Sequence, residues 1–337
     1  MGRERFTIGV ATPRGMAAPY AYFTPALALG YDRDEGLEFE FFQGGEPGAT
    51  ARSLCEDACD IACLNTIVGF MGRANEGLPM LAIGSKARRA HRYFAVLPGS
   101  PLNELADLCS KKIACDFPHI QPLAEAALVE EGVPSGAFQW VPWLGSGMEI
   151  REMIDPVRRG EVDALFLMDW TDGDAVARGL KLRHLRSKLL ERIRVSSCYW
   201  TTEKNFAANE DALSRALRAI QKSLVFSFAN PEAALRMMWE THPETLPPAG
   251  SHDAVLRHDI EVLKACLEPM RIDSRDPDPR WCALSAEEMA AWRDFLSRSG
   301  TLRREVDLKR LYTTELIDRI NDFDTEKVRA AARAPVS

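Results

Sequence analysis

Cysteine is the most reactive side chain in this sequence of 337 residues, which carries eight: Cys55, Cys59, Cys63, Cys109, Cys115, Cys198, Cys266 and Cys282. Three are evenly spaced, Cys55-x3-Cys59-x3-Cys63, and a gap of about two to four residues is common between paired zinc thiolates. A shared metal needs all three thiols on one face. Asp60-Ile61-Ala62-Cys63-Leu64 reads as a strand, and the change from helix to strand breaks any common helical face. The three therefore read as reduced thiols packed as small hydrophobes, and no metal is expected. His91, His184, His242, His252 and His258 also lack the pairing at i and i+4 that places two imidazoles on one helical face.

These side chains have to be positioned by an alternation that runs through the first 200 residues. Strands are predicted at Phe6–Val10, Leu37–Phe42, Asp60–Leu64, Met80–Ser85, Arg92–Leu97, Lys112–Cys115, Phe138–Val141, Asp163–Leu167 and Ser197–Thr201. Helical stretches such as Pro19–Leu29, Ile67–Asn75, Leu123–Glu131 and Met148–Arg159 lie between them. This order predicts an α/β fold with largely parallel sheets. Beyond about residue 202 the pattern is helical, with Ser285 and Glu288 spaced as a capping box ahead of one helix.

An internal echo links two places in the chain. Leu54-Cys55-Glu56-Asp57-Ala58-Cys59-Asp60-Ile61-Ala62 resembles Val157-Arg158-Arg159-Gly160-Glu161-Val162-Asp163-Ala164-Leu165. In both, a helix ends in a polar turn and an aspartate opens a short apolar strand. The strands end at Asn65 and Asp169, the carboxyl edge at which open α/β sheets bind ligands. Asp60 and Asp163 themselves read as caps of the turns.

The net charge of -7, from 42 Lys and Arg against 49 Asp and Glu, argues against a phosphate-binding footprint and so against nucleic acid as a partner. No apolar run reaches the roughly 18–20 residues that a membrane-spanning helix needs. Met1-Gly2-Arg3-Glu4-Arg5 leads directly into Phe6 to Val10 without the apolar stretch and cleavage site of a secretory leader. A cytoplasmic chain, or a periplasmic one whose leader has been removed, is expected.

Several ordered stretches resemble the solute-binding proteins of ABC importers, in the branch for aliphatic sulfonates, taurine, nitrate and thiamine-pyrimidine precursors. They are Phe6 to Val10, Pro19-Tyr20, Ala26 to Tyr31, Glu35-Gly36-Leu37, Gly77-Leu78-Pro79-Met80, Asn103 to Leu108, Arg159-Gly160-Glu161-Val162-Asp163-Ala164, and Leu311 to Asp324. The resemblance implies a two-lobed, type II periplasmic-binding-protein-like fold, with 1–90 and 200–337 forming lobe one and 91–199 lobe two. The ligand cleft would lie between the lobes, and the helical last third would pack on lobe one. Two crossings, near 88–92 and 195–202, would act as hinges for closure over a small organic ligand that is then passed to an ABC permease.

In such a fold the ligand lies at strand ends and helix starts, which implies Thr12, Tyr20, Asn65, Thr66, Asp116, Phe117, Trp143, Ser146, Asp169 and Trp170 as its contacts. Asp116 takes a place where relatives that bind anions put hydroxyls, so a carboxylate there would repel a sulfonate. Acceptors among tryptophans suit an aromatic, nitrogen-bearing or cationic ligand instead. The same superfamily includes fungal hydroxymethylpyrimidine phosphate synthase, which is linked to pyridoxal phosphate and iron. This chain has Ser196-Ser197-Cys198 in place of that enzyme's dense cysteine run and no histidine between Asn65 and Asn75, so no cofactor is expected. The alternative is a cytoplasmic decarboxylase-, desulfinase- or pyrimidine-synthase-like enzyme, with Cys115, His119 and Cys198 as catalytic candidates. A thiol beside a histidine at a helix start would have a depressed pKa and act as a nucleophile.

Overall fold

The computed structural model describes residues 4–11, 16–144, 149–273 and 276–334. Its strands are β1 (Glu4–Val10), β2 (Leu37–Gln43), β3 (Ile61–Asn65), β4 (Met80–Ala87), β5 (Arg92–Val96), β6 (Lys112–Cys115), β7 (Gln139–Val141), β8 (Ala164–Met168), β9 (Arg183–Leu185) and β10 (Ser197–Thr202). The chain divides into two compact units. The first holds Met1–Arg88, Val195–His252 and Met270–Ser337, and the second holds Arg89–Arg194 and Asp253–Pro269.

Each unit is built on a five-stranded sheet, ordered β2-β1-β3-β10-β4 in the first and β7-β6-β8-β5-β9 in the second. The expectation of largely parallel sheets needs correction, because both are mixed. β10 runs antiparallel to β3 and β4, and β5 runs antiparallel to β8 and β9. Each antiparallel strand stands just after a point where the chain changes units, so it enters its sheet without a crossover helix. β3 and β8 are apolar on both faces, and with the more polar β10 they are buried almost throughout, as central strands covered on two sides are.

The echo between Asp60 and Asp163 is a repeated hydrogen-bond pattern. The Asp60 N–H donates to the Thr7 carbonyl (2.9 Å) while its Oδ2 accepts from the Thr7 N–H (2.7 Å). The Asp163 N–H donates to the Lys112 carbonyl (2.8 Å) and its Oδ2 accepts from the Lys112 N–H (2.8 Å). Each aspartate thus closes the backbone pairing at the entry of its strand, where an unpaired amide would otherwise be left.

The segment 253–269, expected in lobe one with the rest of the helical third, belongs to the second unit. The chain therefore changes units at four points, 88–89, 194–195, 252–253 and 269–270, rather than two. The helix His252–Leu267 is amphipathic, and a stripe of this kind does not say which surface it will cover. Gly173 decides the matter. A Cβ there would stand 2.8 Å from the Val262 Cα and 2.9 Å from the Glu261 carbonyl oxygen, so only glycine lets the helix come this close.

His258 locks the contact. Its Nε2 is 2.7 Å from Asp174 Oδ1 and its Nδ1 is 2.8 Å from Asp259 Oδ1. Asp174 also accepts from the Ile150 N–H (2.6 Å) and from Arg178 Nε (2.7 Å). Hydrogen bonds to Asp174 and Asp259 push the His258 pKa up to about 9. A group whose pKa is raised on folding stabilises fully below its unfolded value of about 6.5, and that contribution is lost as pH rises through the folded value. The urea midpoint of the second unit is therefore expected to fall between pH 6.5 and 9. His258→Ala should remove that slope at a cost of about 1–2 kcal/mol at pH 6.5, the partly exposed site being partly screened. Urea melts of both proteins at the two pH values check this, and parallel pH slopes would refute it.

In the first unit the helix Glu203–Ala229 is capped by Thr202, whose hydroxyl accepts from the Asn205 N–H at 3.1 Å. The helix Ala286–Arg298 begins with the expected capping box. The Ser285 hydroxyl accepts from the Glu288 N–H (3.1 Å), and Glu288 accepts from the Ser285 N–H (3.0 Å).

Candidate functional site

Within the first unit, the carboxyl edge of the sheet gathers the ends of β1, β3 and β4 with the start of β10, since Ser197 pairs with both Asn65 and Ala87. Tyr20 is buried here and its hydroxyl donates to the Ala11 carbonyl at 3.1 Å. Lys86, near the end of β4 and partly buried, holds its ammonium 5.7 Å from the Tyr20 ring centroid and 5.6 Å from that of Tyr22. Two ring faces attract a cation but leave its charge unneutralised. Among the described residues no carboxylate pairs with Lys86.

Thr66 does a different job from the one expected of it. It is fully buried, its hydroxyl donates to the Val195 carbonyl, and its N–H donates to the Ser196 carbonyl at 3.1 Å. The Val195 carbonyl also accepts from Trp292 Nε1 at 3.1 Å, and the Val195 N–H donates to the Arg88 carbonyl at 3.1 Å. Val195 itself has φ 58°, a costly value for a β-branched residue that these three bonds hold in place. Thr66 therefore secures a strained turn where the chain re-enters the first unit, and its polar atoms are committed. Tyr199 and Trp200, which follow on β10, are fully buried in the core. Asn65 ends β3 at the edge.

Within the second unit, the corresponding edge is organised around Arg92. Its Nη1 donates to Asp116 Oδ1 at 2.7 Å. Asp116 Oδ2 accepts from the Met168 N–H (2.7 Å) and the Thr171 hydroxyl (3.2 Å). Both side chains are buried. Burial pushes the Asp116 carboxyl up, while Arg92, Met168 and Thr171 pull it back down. Most of the acceptor capacity expected to meet a ligand is thus spent inside the protein, and the charge expected to repel an anion is neutralised by Arg92. The Arg92 guanidinium lies 5.7 Å from the Phe117 ring centroid and 6.0 Å from that of Phe166. Its Nε and Nη2 are buried without a hydrogen-bond partner among the described residues.

Asp169 is likewise engaged, accepting from the Trp170 N–H at 2.8 Å. Trp170 and Phe117 meet edge to face at 6.0 Å. Trp143 is tied by its indole N–H to Glu152 (2.9 Å) and packs on the cluster of Ile150, Met153 and Leu165. It is partly buried there and covers one side of that cluster. Thr12 and Ser146 lie outside the described residues, as does the side chain of His119.

The thiols proposed for catalysis are poor nucleophiles in this setting. Cys115 is buried, burial pushes its thiol up to about 12, and its Sγ–H donates to the Phe117 carbonyl at 3.2 Å. Cys198 is fully buried and burial pushes it up to about 12 as well. Of the cysteines near β3, burial raises Cys59 and Cys63 to about 12 and Cys55 to about 11. Thiols with such values are protonated at neutral pH.

The residues that sequence reasoning missed are the cations. Lys86 and Arg92 bracket the run Lys86-Ala87-Arg88-Arg89-Ala90-His91-Arg92, which holds five basic side chains in seven positions. Read beside the strand ends, that density was the available signal. An aromatic-framed cation at a sheet's carboxyl edge suits an organic anion with an apolar body.

A family model described as NMT1/THI5 like matches residues 20–234. Among curated proteins none matches the sequence. Among solved structures, the chain is similar to the periplasmic aliphatic sulphonate binding protein SsuA from Escherichia coli, at 16% identity and TM-score 0.67, covering 91% of this chain and 96% of that one. The alkanesulfonate-binding protein SsuA from Xanthomonas axonopodis pv. citri, bound to MOPS, is similar at 15% identity and TM-score 0.65, covering 93% and 99%. The desulfurization enzyme DSZB is similar at 15% identity and TM-score 0.61, covering 94% and 99%. At these identities the likeness establishes the fold, which is that of the periplasmic binding proteins.

Proposed function

The chain belongs to the NMT1/THI5-like family, and on that premise we propose that it is the solute-binding component of an ABC importer whose ligand is a small organic anion. The observation that carries this reading is Lys86, held between the rings of Tyr20 and Tyr22 at the carboxyl edge of its sheet without a carboxylate partner among the described residues. The ligand's anionic group takes the ammonium, which the buried tyrosine rings hold in place, and its apolar body packs beside it at the sheet edge. Sulfonates are the leading candidates, since the sulfonate-binding proteins named above share the fold. Aromatic bodies remain part of the expected ligand class, whereas cationic ones do not, because Asp116 and Asp169 are already engaged. On this reading the chain works in the periplasm beside its permease. The enzyme alternative, favoured by the likeness to DSZB, lacks an ionised thiol at Cys115 or Cys198.

A thermal-shift panel of hexanesulfonate, benzenesulfonate, benzoate and benzylamine tests the proposal. At about a hundredfold excess over Kd a bound ligand adds about 2.7 kcal/mol of stability, a rise of several degrees in Tm. The anions are expected to stabilise and the amine is not, and Lys86→Met should weaken anion binding about tenfold or more. Equal stabilisation by benzylamine would overturn the reading.

A further inference from the structure

The first unit carries a cavity of about 460 Å³ that shares no lining residue with the sheet edge. Its wall comes from the end of the helix Glu203–Ala229, from Arg271, Ile272, Pro279 and Trp281, and from the helix Thr325–Arg333. Three guanidinium groups stand on this lining, Arg271, Arg329 and Arg333, and among the described residues no carboxylate does. Arg329 and Arg333 are i and i+4 on a helix whose neighbouring stripe, Val328 and Ala332, is buried against Val225 and Phe226. Like charges at that spacing repel. The helix's carboxyl end offsets part of this cost, and Arg271 joins the two on the lining from a separate segment. Arg329 pairs with Glu326, one turn back on the same helix. Among the described residues Arg333 has no carboxylate partner.

Two rings complete the wall. Phe228 and Trp281 lie 6.2 Å apart at 34°, and the Arg271 guanidinium carbon is 5.0 Å from the Phe228 centroid. Trp281 is held by its backbone on both sides, its N–H donating to Asn321 Oδ1 (2.8 Å) and its carbonyl accepting from Asn321 Nδ2 (3.0 Å). An indole on an anchored backbone beside three arginines suits a flat, negatively charged molecule, and the volume suits one or two rings.

We propose that this cavity is a second ligand site, separate from the sheet edge, for a planar aromatic anion such as an aryl phosphate, sulfonate or carboxylate. The ring packs on Trp281 and Phe228, and the anionic group meets Arg271, Arg329 and Arg333, whose planar donors match such oxygens. The test follows the Trp281 indole N–H by ¹H–¹⁵N NMR of the full chain, its signal identified by its loss in Trp281→Phe. Naphthyl phosphate should shift that signal saturably, about tenfold more tightly than inorganic phosphate or naphthol alone. Arg271→Ala and Arg329→Ala, both at exposed positions, should each weaken binding about fivefold or more, with the other indole signals unmoved. Lys86→Met should leave this titration unchanged, so that failure here and failure of the sheet-edge reading are distinguishable. An unmoved Trp281 signal, naphthol binding as tightly as its phosphate, or arginine variants that bind as well as the native chain would each overturn the proposal.

Discussion

Asp116→Ala is expected to cost the second unit about 3–5 kcal/mol, the largest loss for any single substitution at the candidate site. The carboxylate is the only charge partner of Arg92 among the described residues, at 2.7 Å, and it also satisfies the Met168 amide and the Thr171 hydroxyl. Removing it leaves a buried guanidinium with three unpaired nitrogens and strands a buried N–H as well. The native pair is not itself a large source of stability, since burial pushes the Asp116 carboxyl up despite its three donors. The penalty arises from breaking the pair, which gives a clear signature. Asp116→Asn, which keeps an acceptor for Met168 but loses the charge, should fall between native and alanine. The double variant Arg92→Met, Asp116→Ala should be more stable than Asp116→Ala alone, because it no longer buries an unpaired charge. Urea melts of the three variants measure this, and a double variant less stable than the alanine single would refute the account.

Gly69→Ala is the second large effect, and it falls on the first unit. A Cβ at Gly69 would land inside the indole of Trp200, which is fully buried on β10 with its N–H directed at the Leu64 carbonyl (3.4 Å). The indole has no room to swing away, because it is completely enclosed by its neighbours. Overpacking of this kind costs about 1–3 kcal/mol and more where the neighbour is rigid. We expect about 3 kcal/mol, a fall in Tm of roughly 6–12 °C for a unit of this size. Trp200→Phe removes the part of the ring that collides. The double variant Gly69→Ala, Trp200→Phe should therefore be more stable than the sum of the two single losses predicts. Additive losses in thermal melts would show that the collision is relieved some other way.

Local patterns of the sequence survive into the structure, and long-range pairings do not. Asp60 and Asp163 were legible because an acid ahead of a short apolar strand repeats at both places, and the two prove to make the same pair of backbone bonds. The capping box at Ser285 and Glu288 was legible for the same reason. β9, three residues long, carries too little pattern to see. The docking of 253–269 was hidden because it depends on Gly173, about 90 residues away in the chain, having no side chain. Asp116 was misread as a free acceptor because its partner Arg92 stands 24 positions earlier, and no periodicity connects them. Thr66 looked like a ligand hydroxyl because its acceptor, the Val195 carbonyl, is 129 positions distant. Lys86 is different, since the basic run that contains it was in plain view and only its place at a strand end needed to be weighed.

The most direct test of the central claim is a calorimetric titration of the full chain with hexanesulfonate and, separately, hexylamine, repeated with Lys86→Met and followed by recovery of the ligand. The account predicts saturable binding of the sulfonate, no binding of the amine, an affinity about tenfold or more weaker in Lys86→Met, and sulfonate recovered unchanged. Amine binding that matches the sulfonate, sulfonate binding indifferent to Lys86, or a sulfonate chemically altered by the protein would contradict it.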